Sequence, residues 1–240
     1  MTSSGIPAIE GDWALFLDLD GTLLDIAPRP DAVVVPPGLV TTLQGLSHRL
    51  DGALAVVTGR ARVVADTLLA PLALPGGFGH GAELRDADGR VAGADAVPAL
   101  PSDWPARLAP QLAGWRDVIL EIKPHGLALH YRAAPQWRDA TRDALLALLR
   151  GHDDAFALLP AQMAFEIRPR AATKARAVHA LMQAAPFRGR RPVFVGDDVT
   201  DEDGMAAARD LGGLGLHVGR DFQGGPTEVR AWLEAAHAGA

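Results

Sequence analysis

Asp18 and Asp20 close an apolar run in LFLDLDGTL (Leu15 to Leu23), and a hydroxyl follows at Thr22. Buried strand positions favour apolar side chains, so two acids at this point need another reason. The pair suits phosphoryl chemistry, with Asp18 attacking phosphorus and Asp20 handling the proton of the leaving group. Two more apolar runs stop in the same manner. Ala53 to Val57 ends at Thr58-Gly59-Arg60, and Val193-Phe194-Val195 ends at Gly196-Asp197-Asp198. Phosphoryl transfer needs a nucleophile, donors for the equatorial oxygens and a divalent cation. Carboxylates at Asp18 and Asp197 suit Mg2+, a hard cation that prefers oxygen. Lys174 stands in the first turn of a helix capped by Thr173, where the helix dipole opposes a cation but a bound phosphate would favour it.

The remaining acids have ordinary readings beside these. Asp198 serves equally well as a turn cap. Thr200 reads as the N-cap of the next helix with Asp203 as its box partner, and Glu202 and Asp203 are normal helix-starting acids. Asp201 is retained, with Asp198, as a residue supporting the site from behind its ligands.

The elements that must position these groups alternate in type. Continuous apolar strands at Ala14 to Leu17, Ala53 to Val57 and Val193 to Val195 signal a sheet buried on both faces. Helical spacing links them at Leu39, Val40, Leu43, Leu46 and Leu50, at Arg62 to Leu69, and at Ala177, Val178, Leu181 and Met182. The pattern predicts an α/β fold with a doubly wound, Rossmann-like parallel sheet, whose ligands bind outside the carboxyl ends of the strands. A Pro-rich connection (Pro28, Pro30, Pro36, Pro37) follows the first strand. Gly76 to Val91 reads as a short strand and hairpin with Asp88-Gly89 as its turn. Gly215 to Gly219 is a last strand, and Thr227 to Ala236 a closing helix.

Between these halves the pattern changes, which predicts an inserted small α/β domain at 104–167 within a core made of 1–103 and 168–240. Leu108 to Trp115 and Trp137 to Leu149 read as helices. Val118 to Lys123, Ala128 to Arg132 and Met163 to Arg168 alternate, with one face packed and one wet. A four-residue loop at Pro124 to Leu127 would set Glu121 opposite His130 and Lys123 opposite Ala128. Glu121, Lys123, His130, Arg132, Glu166 and Arg168 then share a polar face. That face is either simply solvated or suited to a polyhydroxylated anion.

The chain has 240 residues, 48% of them apolar, no cysteine and a net charge of −6. It can therefore bury a real core, offers no thiolate site, and carries no basic footprint for nucleic acid. The leader MTSSGIPAIEGDW lacks the features of a secretory signal. No apolar run approaches the roughly 18 residues of a membrane span. A soluble cytoplasmic monomer is expected.

DLDGT, Thr58, Lys174 and Gly196-Asp197-Asp198 resemble the four motifs of the haloacid-dehalogenase-like phosphatases. GDDVTDED, HGAE (His80 to Glu83), ALHYR (Ala128 to Arg132) and EIRP (Glu166 to Pro169) are more narrowly similar to the trehalose-6-phosphate phosphatases. The resemblance runs from about Leu15 to Gly219. It implies an aspartyl-phosphate mechanism with Asp18 as nucleophile and Asp20 as acid and base, while Thr58 and Lys174 hold the phosphoryl oxygens. It implies Mg2+ on Asp18, the main-chain carbonyl of Asp20, and Asp197. It implies a mobile cap gripping the disaccharide through Glu121, Lys123 and Glu166, with His130, Arg132 and Arg168 beside them. Gly59, Arg60, His80 and Glu83 complete the expected substrate contacts. Ala175 departs from the glycine usual after the lysine. Three rivals stay open: a phosphatase of another sugar phosphate such as sucrose 6-phosphate, a non-catalytic sugar-phosphate-binding domain, and a nicotinamide-binding domain. No GxGxxG follows the first strand to support the last of these. Association with a trehalose-6-phosphate synthase is left open too.

Overall fold

The computed structural model describes residues 5–27, 32–93, 97–161 and 163–238. Pro28 and Pro30 of the Pro-rich connection and the first four residues of the leader lie outside these. The first half contains β1 (Trp13–Leu17), α1 (Leu39–Arg49), β2 (Leu54–Val57), α2 (Arg62–Leu69), β3 (Gly76–Phe78), β4 (Glu83–Arg85) and β5 (Val91–Ala92). Next come α3 (Trp104–Leu112), β6 (Ile119–Ile122), β7 (Leu127–His130), α4 (Arg138–Leu149), β8 (Phe156–Ala161) and β9 (Ala164–Pro169). The last stretch holds α5 (Lys174–Met182), β10 (Arg191–Gly196), α6 (Glu202–Asp210), β11 (Leu214–His217), α7 (Val218–Asp221) and α8 (Pro226–Ala238).

Contacts divide the chain into two compact units, one of 1–92 with 173–240 and one of 93–172. The second is wider at both ends than the 104–167 suggested by the change in alternation. Its flanks, on either side of the α3-to-β9 stretch, carry no periodic pattern of their own.

In the first unit the sheet runs β11-β10-β1-β2-β3-β4-β5. Strands β11, β10, β1, β2 and β3 are parallel, and β4 and β5 are antiparallel additions. Every residue of β1 and β2 is buried. This is the continuous apolar character that a strand covered on both faces requires. The chain leaves β1 toward β2 on one side and reaches β10 on the other. The carboxyl ends of β1 and β10 therefore flank a topological switch point, where open α/β sheets take their ligands. Helix α1 buries Leu39, Leu43 and Leu46, one stripe of its helical repeat.

Two ends differ from the expected pattern. The closing strand stops at His217, and α7 begins at Val218, because the His217 ring accepts from the Gly219 N–H and caps a helix there. Thr200 is not a cap. It lies inside a 3-10 turn, Val199–Asp201, whose N-cap is Asp198 and whose box partner is Asp201. An aspartate reaches its own following N–H groups more readily than threonine at the next turn can.

The second unit holds a four-stranded antiparallel sheet, β6-β7-β9-β8. Its inner face packs Leu127, Leu129, Phe165 and Ile167 against Trp104, Leu108, Leu145 and Leu148. The hairpin β6–β7 is tighter than expected. Lys123 and Gly126 exchange backbone hydrogen bonds, so only Pro124-His125 forms the loop, and Glu121 pairs with Ala128 rather than His130. Gly126, just ahead of β7, is drawn into this pairing where β9 passes very close. A Cβ there would lie 2.4 Å from the Ile167 carbonyl oxygen. The slip is two residues, and two is the side-chain period, so every residue keeps its face. Strand β8 has no counterpart in the expected elements. FALLPA shows neither alternation nor an uninterrupted apolar run. Among the described residues no helix is long and apolar enough to cross a membrane.

Candidate active site

Asp18, Thr58 and Asp197 each follow the last residue of a parallel strand, and β10, β1 and β2 are neighbours. Their side chains are thus delivered to one edge by strand pairing alone. The chain turns away at Gly21, whose φ of +78° suits glycine. A side chain is excluded there for a second reason: a Cβ would lie 2.1 Å from Asp197 Oδ2. Thr22 donates to Asp18 Oδ2 at 3.5 Å.

Lys174 arrives from the start of α5, where Thr173 caps the helix by accepting from the Arg176 N–H at 3.0 Å. Its ammonium donates to Asp18 Oδ1 at 2.7 Å and to Asp201 Oδ1 at 2.5 Å, all three side chains being buried. Asp201 does more than stand behind the site. Fully buried, it also accepts from the N–H groups of Asp197 and Asp198 at 3.2 and 3.1 Å. Both of its oxygens are thereby hydrogen-bonded, as a buried carboxyl group requires. Its position in a first helical turn looks ordinary in sequence, and only the fold reveals the ammonium.

The electrostatics follow from three carboxylates sharing one ammonium. Burial, then the Asp201 charge, push Asp18 well above the usual carboxylate range, against the pull of Lys174. Burial and the Asp201 and Asp198 charges push Asp197 up to about 7. Burial alone would lower the Lys174 ammonium, but Asp18 and Asp201 outweigh it and raise it. Lys174 is a fixed positive charge.

The site also fits a divalent cation. Carboxylate oxygens of Asp18, Asp197 and Asp201 lie within 4.8 Å of one another. Asp197 Oδ1 is buried without a hydrogen-bond donor. An oxygen in that state, within a cluster of excess negative charge, is suited to ligate a hard cation. The Asp20 carboxylate points elsewhere, to Arg60, so its share in such a site is limited to the main-chain carbonyl.

The other expected substrate residues divide between the two units. In the first, Arg60 forms a two-bond pair with Asp20, the His80 ring covers Gly59, and Glu83 accepts from Arg62 Nε. Arg62 is not among the residues expected from sequence, since nothing there links it to an acid 21 positions away. Asp198 caps its turn by accepting from the Val199 N–H at 2.6 Å. In the second unit, Glu121, Lys123, His130, Glu166 and Arg168 share one face of the sheet. His130 Nε2 meets Glu121 at 2.8 Å, a diagonal pair in the observed register, and Lys123 meets Glu166 at 2.8 Å. The bond from His130 holds Glu121 below its usual value, aided by Lys123 and against burial. Burial would lower Lys123, but Glu166 and Glu121 raise it. Arg132 lies beyond the end of β7, two residues past His130.

The parallel sheet with acids at its carboxyl edge is the fold of the haloacid-dehalogenase-like phosphatases, and solved structures of that superfamily superpose on the chain. The C-terminal domain of the Candida albicans trehalose-6-phosphate phosphatase matches over 99% of both chains with a TM-score of 0.74, at 16% sequence identity. Sequence narrows the class. The trehalose-phosphatase family model matches residues 16–228, and the chain belongs to that family. It is 40% identical to the trehalose-6-phosphate phosphatase of Escherichia coli, over 95% of this chain and 88% of that one. It is 47% identical to a protein of Sinorhizobium fredii described as a probable trehalose-phosphate phosphatase, over 87% of this chain and 78% of that one.

Proposed function

We propose that the protein is a Mg2+-dependent phosphatase that hydrolyses trehalose 6-phosphate to trehalose and inorganic phosphate. The observation that carries this reading is the family match, which spans both the Asp18–Lys174–Asp201 cluster and the polar sheet face of the second unit. Asp18 Oδ attacks phosphorus, an aspartyl O–P bond forms, and the bond from phosphorus to the sugar oxygen breaks. Asp20 supplies the proton that the departing sugar oxygen needs. Asp20 then accepts a proton from water as the water oxygen attacks phosphorus. The aspartyl O–P bond breaks, releasing phosphate and restoring Asp18.

Lys174 holds Asp18 in place and supplies permanent charge to the phosphoryl oxygens, with the Thr58 hydroxyl beside it. Asp18, Asp197 and the main-chain carbonyl of Asp20 would hold Mg2+, with Asp201 close enough to contribute. The cation would neutralise phosphate charge that otherwise repels an anionic nucleophile. Glu121, Lys123 and Glu166 supply donors and acceptors for sugar hydroxyls, with His130, Arg132 and Arg168 around them. We assign the 93–172 unit as the cap, and the protein to the cytoplasm as a monomer.

The test is phosphate release from trehalose 6-phosphate, sucrose 6-phosphate and glucose 6-phosphate, each with and without Mg2+. Turnover should be confined to trehalose 6-phosphate and should need the metal. Comparable turnover of either other substrate would remove the trehalose assignment. Absence of turnover on all three would favour a non-catalytic sugar-phosphate-binding domain.

A further inference from the structure

Arg60 closes on Asp20 through two hydrogen bonds, Nε to Oδ2 at 2.6 Å and Nη2 to Oδ1 at 2.7 Å. A guanidinium fork on both oxygens fixes the plane of a carboxylate as well as its position. The arginine side chain is 13% exposed and the aspartate 38%, so the acid stays open on the side away from its holder.

The loop bearing Arg60 is itself held by the segment 79–83. The Gly79 N–H donates to the Arg60 carbonyl at 2.8 Å, and the His80 N–H to the Thr58 carbonyl at 2.9 Å. The Arg60 N–H donates back to the Thr58 hydroxyl at 3.1 Å. The His80 ring fills the place of a side chain at residue 59, since a Cβ on Gly59 would lie 2.5 Å from it. His80 adopts a φ of +58°, in the left-handed region that histidine enters more readily than most side chains do. Glu83 then grips Arg62, the first residue of α2. On its other side the same segment meets the start of α5. Arg176 donates to the carbonyls of Gly81 and Ala82, and a Cβ on Gly81 would lie 2.3 Å from the Thr173 carbonyl oxygen.

We infer that Arg60 is a positioning residue that holds the Asp20 carboxylate for proton transfer, and that the segment 79–83 braces Arg60 rather than contacting sugar. The inference rests on the proposed function only for the role of Asp20. That role has two halves: a proton given to the sugar oxygen as its bond to phosphorus breaks, and a proton taken from water as the aspartyl O–P bond breaks.

p-Nitrophenyl phosphate separates the halves, because nitrophenolate leaves without a proton whereas hydrolysis of the aspartyl phosphate still needs the base. With Arg60→Met, kcat/KM on this substrate should stay within a factor of about three of wild type. Its kcat should fall about 10- to 100-fold, the cost of a misplaced catalytic group. A burst of nitrophenolate equal to the enzyme should precede the slow phase. On trehalose 6-phosphate, kcat/KM and kcat should both fall. Gly59→Ala, which displaces the His80 ring, should give the same signature more weakly. Arg60→Lys provides the comparison if the methionine variant does not fold.

Equal loss of kcat and kcat/KM on p-nitrophenyl phosphate would make Arg60 a phosphate ligand and overturn the inference. Unchanged kinetics there with a raised KM for trehalose 6-phosphate would make it a sugar contact and would overturn the inference equally. Wild-type protein that turns over p-nitrophenyl phosphate but not trehalose 6-phosphate would refute the substrate assignment, while the burst test of Arg60 would still read out.

Discussion

One ammonium answers two buried carboxylates at the carboxyl edge of the parallel sheet, and its loss should be felt in stability as well as in rate. Lys174→Met leaves Asp18 and Asp201 without their cation. Removing one partner of a buried ion pair costs about 3–5 kcal/mol. A loss under about 1 kcal/mol in urea denaturation at neutral pH would show that the carboxylates do not depend on the lysine. Asp18→Asn makes a different prediction, because the amide keeps the shape and can still accept from Lys174. It should abolish phosphate release while the far-UV spectrum and melting temperature stay close to wild type, and retained turnover would rule out a covalent intermediate on Asp18. Asp18, Asp20, Thr58, Lys174 and Asp197 are legible in the sequence because each interrupts an apolar run or opposes a helix dipole. The partners of Asp201, Arg62 and Thr22 are not, since they are made by tertiary contacts that no local pattern announces.

Strands and helices show the same division between what period reveals and what packing decides. The three parallel strands of the catalytic edge are visible as unbroken apolar runs, and their pairing brings the acids together without further instruction. The β6–β7 register is not visible, because Gly126 looks like a loop residue until β9 is known to pass beside it. Side-chain alternation survives a two-residue slip, so the polar face can still be read. The His130–Glu121 bond on this face carries a pH signature. Glu121 has its folded pKa lowered, so its contribution to stability is present above the ordinary glutamate value and lost as pH falls through the folded one. Glu121→Gln should therefore be less stable than wild type at pH 7, and the gap should close below about pH 4. Melting curves across this range check it. A gap that persists or widens in acid would contradict the assignment of the stabilising bond to the ionised carboxylate.

At the scale of the whole molecule, the described residues form two hydrophobic cores rather than one. Ile167 is buried in the second, within β9. Ile167→Ala should cost about 2–5 kcal/mol. Hydrogen exchange should quicken in 93–172 while amides of β1, β2 and β10 keep their protection. Equal loss of protection in both sets would mean that the units unfold as one. The division into two cores is only partly foreshadowed in the sequence, since alternation marks where half-wet strands lie but not where the chain crosses from one core to the other.

Strand β1 has a further consequence, for the order in which the nascent chain can fold. One of its two neighbours in the sheet, β10, is made long after it, with Trp13 opposite Arg191. At roughly 5–20 residues per second, β1 emerges about 10–35 seconds before its partner exists. The 93–172 unit closes its sheet from segments near in sequence and can be complete while β1 still waits. An apolar strand left half-paired that long is a natural target for chaperones, and ribosome pausing before Arg191 should lower the yield of folded protein more than pausing after Gly196.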